Sequence, residues 1–338
     1  MTYAHPLQVG DINPYLRTPL VESVSLSRLA GCKVYLKYEC SQPSGSFKSR
    51  GLGMLVHYSI NEAKKLGYEQ RPHFYSSSGG NAGYATALAC TLYEAPCTVV
   101  MPVISKQIMQ QKIKATGADV ILHGHNIQEA DLYLKELLNK RREEGDFNCV
   151  YCHPFDNPVV WEGHSTIVDE IIDANINISK LRAVACSVGG GGLLNGIVQG
   201  LLRNGLTVPV IAIETEGAPT LQRTIEENQV IHLETVNTVA TSLACKYVPQ
   251  KTLEYCQVYD IRSVLVSDNQ AVTSCIKFSL DHNVIVEPAC GACLASVYFS
   301  KLDTLGLNLQ PDDAIVIIVC GGSSTTFEDL HEFAKSLT

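Results

Sequence analysis

A lysine stands where lysines are uncommon. In Ser41-Gln-Pro-Ser-Gly-Ser-Phe-Lys-Ser49 the turn formers Pro43, Ser44 and Gly45 follow a strand-like run and precede a helix-like one, so Phe47 and Lys48 fall at a helix start. The first turn of a helix is the positive end of its macrodipole, which disfavours a cation and favours a neutral amine. A lowered pKa is what a lysine needs to act as a nucleophile near neutrality, Schiff-base chemistry included. Taken alone, the same placement also suits a solvated lysine on a helix shoulder.

Three further stretches carry chemistry. Ser76-Ser-Ser-Gly-Gly-Asn-Ala-Gly83 lies between a strand and a helix. Small residues there let backbone N–H groups point at a carboxylate or phosphate, while the serines and Asn81 add directed hydrogen bonds; a ligand-free tight turn has the same composition. Gly189-Gly190-Gly191-Gly192 is again placed between a strand and a helix. Four glycines in a row cost conformational entropy, so something must approach the backbone closely, and a phosphate is the natural candidate. The run fits neither the dinucleotide fingerprint nor the Walker pattern. Finally, residues 315–320 form an apolar strand that ends at Cys320 and then Gly321-Gly322. Ligands of an open parallel sheet sit beyond the carboxyl ends of its strands, which places Cys320 to touch one.

The elements that must position these residues follow from periodicity. Strand candidates are residues 34–38, 73–76, 97–101, 119–123, 148–151, 183–188, 208–214 and 314–320, with helix-length amphipathic runs between them. Such alternation means α/β architecture, a parallel sheet with helices on both faces. Asp156-Asn157-Pro158 supplies N-cap candidates and a first-turn proline for a helix over 159–174, and Gly117, Gly145 and Gly205 stand where helices should stop. Residues 225–251 have no clean periodicity.

Composition narrows the function classes. The chain has 338 residues, 46% hydrophobic and 18% charged, enough for two domains. Its net charge of −8 argues against nucleic acid or an anionic membrane as a partner. The start, Met1-Thr-Tyr-Ala-His-Pro6, has no basic and apolar leader pattern, and no stretch reaches the roughly 18 apolar residues of a membrane span, so a cytoplasmic enzyme is expected. Thirteen cysteines in such a chain read as buried reduced thiols. Cys149-Val-Tyr-Cys152-His153 and Cys290-Gly-Ala-Cys293 match haem, zinc or redox spacings, yet both sit in apolar runs and read better as packing. The 148–151 strand would put Cys149 and Tyr151 on one face and Val150 and Cys152 on the other.

The segments Pro43 to Lys48, Ser77 to Gly83, Gly189 to Gly192, Val286-Glu-Pro-Ala-Cys-Gly-Ala292 and Val319-Cys-Gly-Gly322 together resemble the pyridoxal-phosphate enzymes of the tryptophan-synthase β fold, and more closely the eukaryotic L-serine/L-threonine dehydratases. The resemblance runs from about Thr18 to the end, with the motifs in family order. It implies two open twisted parallel-sheet domains, residues 1–48 with 152–338 and residues 49–151, with pyridoxal 5'-phosphate in the cleft between. It also implies a homodimer.

Carried over residue by residue, the resemblance makes Lys48 the Schiff-base lysine and Phe47 the ring packed on the cofactor. Asn81 would hold the cofactor's 3-hydroxyl and Gly189, Gly190, Gly191 and Gly192 its phosphate. Ser78, Gly79, Gly80 and Asn81 would line the substrate carboxylate pocket, and Cys320 would face the pyridine nitrogen. A thiol there is a weak partner, which favours loss of a β-leaving group over racemisation. L-serine and L-threonine would be converted to pyruvate or 2-oxobutyrate with release of ammonia, Lys48 taking the α-proton; the acid for the leaving hydroxyl stays open between the cofactor phosphate and the Lys48 ammonium. A potassium site is implied as well, matched by Glu214 and Ala218 and more weakly by Leu243, Cys245 and the Gly189 carbonyl. Gly79 departs from the alanine common in relatives and is expected to loosen the substrate pocket. With one more helix after Gly321-Gly322, no appended regulatory domain is expected. Serine racemase, threonine synthase and cysteine-synthase-like enzymes would share Lys48 and the glycine run, and a zinc or redox protein would instead use the cysteine pairs.

Overall fold

The computed structural model describes residues 13–336, so the reading of the first six residues falls outside it. The chain opens with β1 (Leu20–Glu22), α1 (Val24–Ala30) and β2 (Lys33–Lys37), then α2 (Lys48–Lys65). Next come β3 (His73–Ser76), α3 (Asn81–Leu92), β4 (Cys97–Met101), α4 (Gln107–Ala115), β5 (Asp119–Leu122), α5 (Ile127–Glu143) and β6 (Cys149–Tyr151). After α6 (Pro158–Ile172) follow β7 (Leu181–Ser187), α7 (Gly192–Arg203), β8 (Val210–Thr215), α8 (Thr220–Glu227), α9 (Gln250–Val258) and β9 (Ile261–Val266). The last elements are α10 (Asp268–His282), α11 (Pro288–Tyr298), β10 (Ala314–Ile318) and α12 (Phe327–Ser336).

The strands form two sheets, β1-β2-β10-β7-β8-β9 and β5-β4-β3-β6. All pairings are parallel except β1 on β2. Each of the eight anticipated strands is present. β1 and β9 were not anticipated: a three-residue edge strand carries too little periodicity, and β9 follows the unassigned stretch. That stretch is the tail of α8, an irregular segment with one 3-10 turn at Thr241–Leu243, and the start of α9. The strand expected from 208 starts at Val210, since Pro209 has no N–H for a ladder. The strand expected to 320 leaves the ladder after Ile318, and Val319 bonds across to the β2 end, its N–H donating to the Lys37 carbonyl at 2.9 Å.

Local signals held where they had a mechanism. Asn157 accepts from the Val159 N–H at 2.8 Å and caps α6, with Pro158 in its first turn. Gly117, Gly145 and Gly205 take φ of +89, +88 and +68° just past helix ends. β6 divides its faces as expected: Cys149 and Tyr151 pack with Tyr75, Leu134 and Leu138, whereas Val150 and Cys152 join the core around Phe74 and Val99. Cys290 and Cys293 lie fully buried on α11 in the core of the larger sheet. No group of three or more metal-ligating side chains occurs among the described residues, and no described helix is long and apolar enough to cross a membrane.

Helices α2 and α6 meet through glycines. A Cβ on Gly51 would lie 2.5 Å from the His164 ring, and one on Gly163 would lie 2.5 Å from the Arg50 carbonyl. Close backbone approach of this kind is intolerant of a methyl group. Gly163→Ala should therefore destabilise the protein by about 1–3 kcal/mol in urea unfolding; an unchanged midpoint would show that the helices part freely.

Candidate active site

Lys48 is the first residue of α2, as the turn chemistry of Pro43 to Gly45 requires; Gly45 takes φ +71°. Its neighbours are held on both sides. The Phe47 N–H donates to the Cys320 carbonyl at 3.1 Å, and the Phe47 ring packs 4.9 Å from His164. The Ser49 hydroxyl donates to Ser44 Oγ at 2.8 Å. The Lys48 side chain is half-buried, and its Nζ donates to the Pro154 carbonyl. Burial of the amine lowers its pKa to about 8, against a smaller opposing pull from Cys245, Cys320 and Glu287.

The glycine run faces the same space. Gly191 has φ +76° and caps α7, whose first-turn N–H groups lack intrahelical acceptors. Phe155 lies over this turn so closely that a Cβ on Gly190 would come 2.4 Å from its ring, and one on Gly189 would lie 2.8 Å from the Ser242 carbonyl. Phe155 follows Pro154, the residue that holds the Lys48 amine. The irregular segment around Ser242 and Cys245 closes the other side, and burial pushes the Cys245 thiol up to about 11.

Asn81 starts α3 and reaches across to the other sheet. Its Nδ2 donates to Glu287 Oε1 at 2.8 Å and to Ser242 Oγ at 3.3 Å, and its Oδ1 accepts from the Ser323 N–H at 2.8 Å. Glu287 also accepts from Ser324 Oγ at 3.1 Å. Burial raises the Glu287 pKa, with the bonds from Asn81, Ser242 and Ser324 opposing. Ser78, Gly79 and Gly80 stand half-buried beside Asn81. A Cβ on Gly80 would meet nothing within 4 Å, so this position opens on free space, but one on Gly79 would lie 2.4 Å from Ser105 Oγ. The room that an alanine would fill is thus taken by Ser105, and Gly79 does not leave the pocket loose.

Cys320 sits beyond β10, 5% exposed. A hydrogen bond with the Cys290 thiol, together with burial, raises its pKa well above the usual thiol range, so it stays an S–H group. Glu214, at the end of β8, is buried and accepts from the Leu221 and Gln222 N–H groups at 2.7 and 2.8 Å. Burial raises its pKa to about 7 although these bonds act the other way. Ala218 is buried in the turn that follows β8, its N–H donating to the Thr215 carbonyl at 2.9 Å. Leu243 and Cys245 border Gly189. The contacts thus link several of the sequence-derived residues: Phe47 bonds Cys320, Asn81 bonds Ser242, and Ser242 lies with Leu243 and Cys245 against Gly189.

Some participants were not legible. His164 has both ring nitrogens without a hydrogen-bond partner among the described residues, and burial with nearby Lys48 and Arg50 keeps it neutral. Nothing in an apolar helix pattern marks such a histidine. His153 was seen only as part of a cysteine motif; its Nδ1 accepts from the Asp156 N–H at 2.8 Å, its Nε2 meets Tyr247 OH at 3.2 Å, and burial lowers its pKa to about 4. Glu287 stood inside a quoted motif without a role.

Known proteins are similar to this chain in sequence and fold. Residues 13–321 match the family described as pyridoxal-phosphate dependent enzyme. The chain belongs to this family. It is 42% identical over 331 residues to the catabolic L-serine/threonine dehydratase of Saccharomyces cerevisiae, covering 96% of this chain and 91% of that protein. It is 39% identical over 327 residues to the L-serine dehydratase/L-threonine deaminase of Mus musculus, covering 96% of each. The crystal structure of an L-serine ammonia-lyase from Rhizomucor miehei superposes with a TM-score of 0.88 at 31% identity, covering 96% of this chain and 99% of that one. The fold is the α/β architecture of the tryptophan-synthase β type.

The residues present fit the family's cofactor. A glycine turn at a helix start offers N–H groups for a phosphate, the Lys48 amine is available to a carbonyl carbon, and the free space at Gly80 lies beside Asn81. With burial as the main cause, the Lys48 amine of the cofactor-free protein should be a cation well below pH 8 and a free base well above it. Competitive acetylation across pH, followed by mass spectrometry, should place its midpoint near 8; a midpoint at the ordinary value of 10.5 would refute the buried amine.

Proposed function

We propose that this protein is a lyase that eliminates water from L-serine and L-threonine, giving pyruvate or 2-oxobutyrate and ammonia. The observation that carries the reading is the Lys48 amine, its pKa lowered to about 8 by burial, bonded to the Pro154 carbonyl, whose neighbour Phe155 lies on the glycine turn. Near full-length identity to serine and threonine dehydratases supports the substrate class.

In this reading Gly189 to Gly192 hold the phosphate of pyridoxal 5'-phosphate, Phe47 packs on its ring, Asn81 binds its 3-hydroxyl and Cys320 faces its ring nitrogen. Bound there, the cofactor supplies an electron sink for the carbanion formed at the substrate α-carbon. Ser78, Gly79, Gly80 and Asn81 bind the substrate carboxylate, so that the α-hydrogen is aimed at Lys48. The Lys48 amine would take that proton; a pKa near 8 suits a base at neutral pH. The Pro154 carbonyl would hold the resulting ammonium in place. A Cys320 thiol kept protonated would be only a weak donor to the cofactor's ring nitrogen, which would favour elimination over racemisation.

The division into residues 1–48 with 152–338 and residues 49–151 is part of the same proposal; the separate sheets, with β3 to β6 all inside the second segment, support it. A homodimeric, cytoplasmic enzyme is the matching expectation. Glu214, Ala218, Leu243, Cys245 and Gly189 are proposed to hold potassium: a buried carboxylate that accepts from the Leu221 and Gln222 backbone N–H groups and has no cationic side chain paired with it among the described residues would gain from a cation beside it.

Two measurements test these readings. Purified protein should show a visible cofactor band that L-serine perturbs, with pyruvate appearing in a lactate-dehydrogenase-coupled assay, and Lys48→Ala should abolish turnover; near-normal turnover in that variant sinks the assignment. Potassium should raise the melting temperature and the activity relative to lithium, and Glu214→Gln should remove the difference. Equal behaviour in both salts would count against the ion.

A further inference from the structure

The first turn of α2 holds two cations, Lys48 and Arg50, and no acidic residue, at the end of the helix where positive charge is least favoured. Arg50 is fully buried, and its guanidinium meets two carboxylates. Nε and Nη2 donate to Glu39 at 2.7 and 2.8 Å, while Nη1 and Nη2 donate to Glu170 at 2.7 Å each. Nη1 also reaches Thr166 Oγ1 at 3.0 Å and Nη2 reaches Thr18 Oγ1 at 3.2 Å, so all five N–H groups have acceptors. Glu170 in turn accepts from Lys37 Nζ at 2.5 Å, and Lys37 donates to the Thr18 carbonyl at 2.6 Å.

The four charges cancel, and the groups come from β2, the 3-10 turn after it, α2 and α6. A bidentate fork on each side fixes the guanidinium in one orientation, which a lysine could not reproduce. Lys48, two residues earlier, has no carboxylate within ion-pair distance among the described residues. The backbone beneath it is clamped, and its amine meets the Pro154 carbonyl but no carboxylate.

We propose that Arg50 is a positioning residue for Lys48: the buried Arg50–Glu39–Glu170–Lys37 cluster anchors the first turn of α2 to α6 and β2, and so fixes where the amine meets its partner. This rests on the reading of Lys48 as the residue that bonds pyridoxal phosphate. A purely structural role for the cluster predicts lost stability whatever stands at 48. A positioning role predicts an effect that needs the amine.

A double-mutant cycle on cofactor-free protein separates the two, with the dissociation constant for pyridoxal phosphate read by equilibrium dialysis. Arg50→Lys should weaken binding by about tenfold or more when Lys48 is present and by less than about threefold in the Lys48→Ala background, a coupling within the range found for neighbouring residues. Equal losses in both backgrounds, or no loss in either, overturn the proposal. Glu170→Gln, which keeps size and an acceptor oxygen, goes through the same cycle with the same criteria and decides the matter if Arg50→Lys does not fold. Failure of the unsubstituted protein to bind pyridoxal phosphate would appear in the first arm and would overturn the reading of Lys48 itself.

Discussion

Parallel strand pairing obliges every strand to end at the same edge of its sheet and every following helix to begin there. Three such beginnings contribute to the site, Lys48 starting α2, Asn81 starting α3 and Gly192 starting α7, and Glu287 joins them from the turn between α10 and α11. Each helix start presents N–H groups with no intrahelical acceptor and a positive partial charge worth roughly 0.3–1 kcal/mol toward an anion. Converging several on one cleft makes a place that welcomes phosphate and carboxylate and discourages an ammonium. Anion affinity follows from this arrangement, whereas the lowered pKa of Lys48 follows from burial of its amine in the same place.

The same constraint explains the protein's costly features. Charged groups that must live near these helix ends are neutralised inside the fold: Arg50 by Glu39 and Glu170, and Glu214 through backbone N–H groups from α8. Buried pairs of this type add little net stability, because desolvation offsets most of the attraction. Their value lies in orientation. Lys48 is left without such a partner, and burial takes its pKa down instead of being compensated.

Beside the close packing of α2 on α6, polar side chains link the two sheets. Asn81 bonds Glu287, Ser242 and Ser323 from the other side, and Lys106 pairs with Asp329 at 2.8 Å. Contacts of this kind can be remade without disturbing a core, whereas the apolar clusters within each sheet cannot.

The sequence by itself determined what is written locally. The turn before Lys48, the glycine run, the Asn157 cap, the helix stops at Gly117, Gly145 and Gly205, and the face alternation of β6 are set by φ preferences, by the missing N–H of proline and by period-two geometry, all of which act over a few residues. Only the tertiary structure decided which of these meet. Glu287 lies 206 positions from Asn81, Glu170 lies 120 from Arg50, and Ser105 fills the space beside Gly79. Residues 225–251 show no period because, between the tail of α8 and the start of α9, their backbone is irregular and packs against Gly189 and Gly217. His164 is silent in sequence for the same reason: its neutrality comes from burial beside Lys48 and Arg50, a property of the packed interior and not of any spacing along the chain.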